Sequence, residues 1–246
     1  MIVIGAGRVG QGLKLLDPQL RLLERGQNWA ALDEPAGEAI FVAVRNDDLA
    51  DLLERVPEHR FVDLVFTQNG MLRDFLADRG LAEATRGLLF FAVAARGDRP
   101  APGGSSPFCG PRAEAVVDWL RDLGLPAEAV DADSFAAVEL EKLIWNCAFG
   151  LCCEALGLNV GEVVEQRREE LRELVVELHR VGEQAMQVEV AFEPLFERLC
   201  AYSLSIRDYR GAVKEWPWRN GWFVRRAASL GIDTPRHQRL LAEVGR

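Results

Sequence analysis

Two textures of hydrophobic patterning divide the chain. Up to about residue 126, short apolar runs at residues 1–4, 20–23, 39–44, 61–66 and 88–94 alternate with helical spacing at residues 10–16, 48–55 and 113–123. Short β-rich runs separated by helices predict an α/β fold with a parallel sheet. From residue 134 the strand pattern ends. Helical periodicity then covers residues 134–156, 160–190, 194–213, 217–230 and 235–244, which predicts an all-helical second domain. Gly124 and Gly231 are read as C-terminal helix stops and Pro235 as a helix start. The stretch at residues 96–111, dense in Gly, Pro and Ser, is expected to form a loop or hairpin connection. The expected boundary lies between residues 1–132 and residues 133–246.

The first helix is entered through Gly5-Ala-Gly7-Arg8-Val9-Gly10, directly after the first strand. In that setting Gly5 permits a tight turn, Gly7 the close approach of a pyrophosphate, and Gly10 the packing of helix on strand. The free N–H groups at the helix start, on Arg8, Val9 and Gly10, suit an anion. A strand, this turn and a helix at the head of an α/β pattern predict a Rossmann-type dinucleotide site. The second strand ends in Glu24-Arg25, where an adenosine ribose would lie. Glu24 suits the hydroxyls of NAD, whereas Arg25 suits the 2′-phosphate of NADP, so the pair argues for opposite cofactors.

Composition narrows the partners. With 38 acidic against 29 basic residues, the net charge of −9 disfavours nucleic acid and anionic membranes and leaves a small molecule as the expected ligand. No apolar run reaches the ~20 residues of a bilayer span, and no signal core follows the N-terminus, so a cytoplasmic protein is expected. The five cysteines show neither a C-x-x-C pair nor neighbouring histidines; buried thiols are expected, with no metal. His59, His179 and His237 lack a site context.

Lysine is scarce: Lys14, Lys142 and Lys214 are the whole set. Lys142 therefore stands out in Glu139-Leu-Glu-Lys142-Leu-Ile-Trp-Asn146-Cys, an apolar helix that puts Lys142 and Asn146 on one face. Desolvation would lower its pKa and suit it to proton transfer, although a lysine can also extend from a core helix to water. Together with the glycine motif, Thr67-Gln-Asn69-Gly70-Met71 and Lys214-Glu215-Trp-Pro-Trp-Arg-Asn220-Gly221, this segment resembles the ketopantoate reductase family over nearly the whole chain.

That resemblance implies an NADP-dependent reductase, with NAD as the alternative cofactor, and a Rossmann domain followed by a helical substrate domain. It makes Lys142 the general acid and Glu215 the carboxylate that orients substrate and lysine. Asn69, beside nicotinamide and substrate, Asn146 and Ser203 become substrate contacts, with Ser205 as a competing register for the serine. Gly5, Gly7, Arg8, Val9, Gly10, Arg25, Arg45 and Asn69 become the cofactor set. Only 19 residues separate Arg25 from Arg45, about half the family's spacing, so a strand and a helix beside the adenosine are expected to be missing. Gly150 and Cys200 stand where pantothenate-making members carry asparagines. The expected activity is thus reduction of a small 2-oxo acid or related carbonyl, with a homodimer as the assembly considered. The rival expectation is a non-catalytic dinucleotide-binding or sensing protein; Lys142 and Glu215 occurring together favour the enzyme.

Overall fold

A computed structural model describes all residues, Met1 to Arg246. The chain forms two compact units, Met1–Phe135 and Ala136–Arg246, so the division falls three residues later than the pattern suggests.

The first unit opens with β1 (Ile2–Ile4), α1 (Arg8–Leu16), β2 (Arg21–Leu23), β3 (Ile40–Val42), α2 (Leu49–Arg55) and β4 (Leu64–Phe66). It continues through α3 (Arg73–Ala77), β5 (Thr85–Gly87), the hairpin β6 (Phe91–Ala92) and β7 (Ala101–Pro102), β8 (Ser106–Cys109), α4 (Ala113–Asp122) and β9 (Ala127–Ala129). Seven strands form one sheet in the order β2-β1-β3-β4-β5-β8-β9. All neighbours are parallel except β5 and β8. Register places Val3 opposite Leu22 on one side and Phe41 on the other. β1, β3 and β4 are apolar and fully buried at every position, as strands sandwiched between two helical layers must be. One core joins Val3, Phe41, Val65 and Phe108 to Leu13 of α1 and to Val116, Val117 and Leu120 of α4. Each such side chain contributes roughly 1.5–3 kcal/mol by leaving water.

The order of the sheet explains the short spacing in the sequence. A dinucleotide-binding sheet ordered 3-2-1-4-5-6 carries a further strand outside the second one. Here β2 is the edge, and the chain returns directly to β3 on the far side of β1. Residues 24–39 contain only a single short 3-10 turn, Ala30–Leu32. The buried Arg60 holds this segment: its Nη1 donates to the carbonyls of Ala31 and Glu34, its Nη2 to that of Glu38, and its Nε to Asp63 at 2.7 Å. Asp63, fully buried, also accepts from the Gly37 N–H and from Arg112. Burial alone would raise the Asp63 pKa, but those three donors outweigh it and hold the carboxyl below its ordinary value.

Several expected boundaries shift. The run at residues 61–66 is a strand only from Leu64, because a 3-10 turn occupies Glu58–Asp63. Residues 88–94 give only the short β6, and the true sheet strand lies just before it in β5. β8 emerges from the stretch expected as a loop, where apolar periodicity is too short to register.

The second unit is built on α5 (Ala132–Leu156), which begins just ahead of the division, followed by α6 (Val160–Gln166), α7 (Arg168–Met186), α8 (Phe192–Ser205), α9 (Asn220–Leu230) and α10 (Pro235–Glu243). The expected single helix at residues 160–190 is two, broken at Arg167, whose φ of −133° leaves the helical region. The expected helix at residues 194–213 ends early, at Ser205. No single helix is long and apolar enough to cross a membrane. α5 is apolar around most of its circumference, with Leu140, Ile144, Ala148, Phe149 and Leu151 at zero exposure, the mark of a central helix. Cys147, Cys152, Cys153 and Cys200 are buried and free, and burial raises the Cys152 thiol to about 12.

Candidate active site

The glycine motif adopts the geometry its spacing predicts. Gly5 has φ of +111°, and a Cβ there would lie 2.8 Å from the Ala43 carbonyl oxygen. At Gly10 a Cβ would come within 1.9 Å of the Gly5 carbonyl oxygen, so any side chain would push helix from strand. Gly7 differs, since the nearest atom to its Cβ position is 4.0 Å away. Space at Gly7 is thus open rather than filled by packing, which fits a ligand backbone passing over it. Gly7 also caps α1, whose first turn offers undonated N–H groups.

A cavity of about 500 Å³ opens at this point, lined by Gly5, Gly7, Arg25, Arg45, Trp29 and Arg55 among others. It lies where the connections from β1 diverge to β2 and β3, the switch point at which open α/β sheets take their ligands. Arg25 is four-fifths exposed and pairs with Asp48 at 2.6 Å. Glu24 does not line the cavity, and its carbonyl accepts the Trp29 indole N–H. Trp29 and Arg55 are additions that the sequence did not mark. The Arg55 guanidinium lies 3.6 Å over the Trp29 ring, and both belong to the cavity wall. A lone tryptophan in the shortened loop was the only available signal. The Arg8 side chain reaches the Ala94 carbonyl at 3.3 Å, and Val9 packs against the core, leaving their backbone to the anion.

Asn69 follows the end of β4 and is exposed. It does not line the cavity; its carbonyl accepts from the buried Asn46 amide at 2.8 Å. The preceding Gln68 donates to the Val42 and Val44 carbonyls and so ties the ends of β3 and β4 together.

In the second unit, Lys142 sits mid-way along α5, part-buried. Burial foremost, and the positive Arg219 guanidinium second, lower its pKa from 10.5 to about 7. One turn on, the Asn146 amide donates back to the Lys142 carbonyl at 2.9 Å. Glu215 lies in the left-handed region with φ of +47°, one of two non-glycine residues to do so. Such a conformation costs on the order of 1 kcal/mol or more and persists only where its surroundings enforce it. A 3-10 turn, Trp216–Trp218, follows and brings Arg219 back so that its Nη2 lies 2.6 Å from Glu215 Oε2. The contact is an ion pair by distance but too bent for a hydrogen bond. Both Glu215 Oε2 and Arg219 Nε are buried without a hydrogen-bond partner.

Ser203, expected as a substrate contact, has its hydroxyl engaged inside the helical unit. It is fully buried, its hydroxyl donates to the Leu199 carbonyl at 2.8 Å, and it accepts from the Trp145 indole at 2.9 Å. That hydroxyl closes an aromatic cluster and is not offered to a ligand. Ser205, the other register, ends α8 and donates to the Tyr202 carbonyl. Arg219 is the residue that sequence reading passed over, because it occupies an unspecified position inside the E-x-x-x-x-N-G pattern. Gly150 also has a local cause: a Cβ there would meet the Ala212 carbonyl oxygen at 2.7 Å. An asparagine cannot enter without moving that segment.

Residues 134–246 match the family model for the C-terminal domain of ketopantoate reductase PanE/ApbA. No curated protein matches the sequence. Among solved structures, a PanE/ApbA family ketopantoate reductase from Ralstonia eutropha JMP134 aligns with a TM-score of 0.76 at 19% identity, covering 98% of this chain and 96% of its own. A D-mandelate dehydrogenase in complex with NADH aligns with a TM-score of 0.76 at 16% identity, covering 99% and 97%. A dimeric ketopantoate reductase from Staphylococcus aureus gives 0.75 at 16%, covering 98% and 96%. Likeness at this identity establishes the shared fold, a Rossmann-type unit followed by a helical one. Over residues 134–246 the chain is thus similar to the C-terminal domain of the ketopantoate reductase family, and over its whole length it shares the fold of those solved structures.

Proposed function

We propose that the chain is an NAD(P)H-dependent oxidoreductase that reduces the carbonyl of a small 2-oxo acid, with Lys142 as the proton donor. The single observation that carries this reading is a part-buried lysine brought to a pKa of about 7, where a general acid is most useful at neutral pH. A lysine in a merely structural helix needs no such environment.

The nicotinamide dinucleotide, when bound, supplies the hydride. Gly5, Gly7, Gly10 and the start of α1 would hold its pyrophosphate, and the open space at Gly7 fits that group. NADP is favoured over NAD because Arg25 lines the cavity whereas Glu24 does not. Lys142, in its ammonium form, donates one proton to the oxygen that becomes the alcohol and is left as the amine. Glu215 would fix the surroundings of the lysine through Arg219, and Asn146, one turn along α5, would add a polar contact to substrate. A homodimer is proposed from the dimeric state of the Staphylococcus aureus reductase, and a cytoplasmic location from composition.

The test is oxidation of NADPH and NADH across a panel of 2-oxo acids, including ketopantoate and phenylglyoxylate. Turnover of at least one acid is expected, and Lys142→Ala should lower the rate by roughly 10²–10⁴-fold while barely changing cofactor affinity. A wild-type protein that binds NADPH and reduces none of the acids would be a non-catalytic dinucleotide binder. Tighter binding of NADH than NADPH would identify Glu24 as the reader of the ribose.

A further inference from the structure

We propose that Arg219 binds the carboxylate of the substrate and so restricts the site to anionic carbonyl compounds. The inference rests on the reductase reading for the identity of the ligand, but its observations are independent of turnover. Ser203, to which the family resemblance gives this role, is fully buried with its hydroxyl donated to Leu199 and accepting from Trp145. With its one proton given to the Leu199 carbonyl, that hydroxyl has none left to donate to a carboxylate in this arrangement.

Arg219 has the required properties. It is nine-tenths buried, and its Nε has no hydrogen-bond partner. A guanidinium carries five N–H donors, and leaving one of them buried and unpaired is costly unless something arrives to accept it. Its neighbour in charge is Lys142, and the two cations are close enough for Arg219 to lower the lysine's pKa. Like charges near one another are mutually unfavourable, and a carboxylate accepting from Arg219 would offset that repulsion. Glu215 already pairs with Nη2 at 2.6 Å, while Nε is left without an acceptor. Arg219 also precedes α9, whose N-terminal end favours negative charge. A 2-oxo acid places its carboxylate one bond from the carbonyl carbon. One guanidinium and one ammonium therefore match its two oxygen-bearing groups: Arg219 for the carboxylate, Lys142 for the carbonyl oxygen.

The experiment uses oxamate, an unreactive anion shaped like a 2-oxo acid, and oxamide, its neutral counterpart, titrated calorimetrically into the full-length protein with and without NADPH. Wild type should bind oxamate at least about tenfold more tightly than oxamide. Arg219→Gln should weaken oxamate by roughly 10–100-fold, the scale of a lost charge-assisted hydrogen bond, and leave oxamide and NADPH affinities unchanged. Arg219→Lys, which keeps the charge but loses the planar fork, should fall between the two. Equal binding of oxamate and oxamide by wild type would overturn the proposal even if Arg219→Gln fails to fold, and so would unaltered oxamate affinity in a folded Arg219→Gln. Arg219-dependent oxamate binding by a protein that reduces no 2-oxo acid would uphold this proposal while removing the reductase reading.

Discussion

Lys142→Met should raise the stability of the protein at neutral and mildly acid pH while abolishing its chemistry. The ammonium of Lys142 is held in a place that burial and Arg219 both make unfavourable for charge, and its pKa falls from 10.5 to about 7. At about 1.4 kcal/mol for each tenfold change in a protonation constant, that displacement corresponds to about 5 kcal/mol. The figure is an upper limit on the gain, because methionine fills the stem volume but loses whatever contacts the ammonium makes. The pH dependence follows from proton counts. Below pH 7 the lysine is charged in both folded and unfolded chains, and the full penalty is present. Between about pH 7 and 10.5 the unfolded chain holds a proton that the folded chain has released, so wild-type stability rises by about 1.4 kcal/mol per pH unit. The variant lacks this dependence. Urea unfolding of both proteins at pH 6, 7, 8 and 9 should give a variant advantage that is greatest and level at pH 6–7 and shrinks by roughly 2–3 kcal/mol by pH 9. An advantage independent of pH, or a variant less stable than wild type at pH 6, would refute the reasoning. The same titration sets the activity: reduction by wild type should decline as pH rises through about 7, because the donor loses its proton.

Gly7→Asp should fold normally, since its Cβ position meets nothing closer than the Ala43 carbonyl oxygen at 4.0 Å, yet should abolish nicotinamide-dinucleotide binding by placing a carboxylate where the pyrophosphate passes; unchanged affinity by calorimetry would remove the glycine motif from the cofactor site. Gly150→Asn, which introduces the residue type found in pantothenate-making relatives, should destabilise the helical unit by about 1–3 kcal/mol, because the added Cβ would lie 2.7 Å from the Ala212 carbonyl oxygen. A denaturation midpoint equal to that of wild type would show that residues near Ala212 yield freely.

What could be read from the sequence is what repeats or has a fixed spacing. The alternation of β1, α1 and β2, the apolar length of α5, and the helix stop at Gly231 are local patterns, and the structure has them. β5 (TRG), β8 (SPFC) and β9 (AEA) escape, because no continuous apolar run marks them as it marks β1 and β3, and their strand character comes from the neighbours they pair with. The split between α6 and α7 escapes for the opposite reason: the apolar period continues across Arg167 although the backbone does not. Arg60 and Asp63 lie three apart in what resembles an ordinary polar segment, and only the fold reveals that both are buried and hold the shortened loop.

The candidate site divides along the same line. Gly5, Gly7, Gly10, Lys142 and Asn146 were legible because spacing alone fixes their relation on one turn or one helix face. For Ser203 spacing gives less: twelve residues before Glu215 is a distance along the chain, and α8 turns that position toward Trp145 and the Leu199 carbonyl. Arg219 was invisible for a complementary reason. A pattern that specifies Glu215 and Asn220 leaves the four residues between them blank, and an arginine in a blank position reads as surface charge. Its meaning depends on three facts that no spacing encodes: the burial of Nε, the ion pair closed by the left-handed turn at Glu215, and the nearness of a second cation on α5. A family pattern marks where chemistry is shared; a buried, unsatisfied donor in a position the pattern leaves free marks where this chain's own ligand preference is expected to reside.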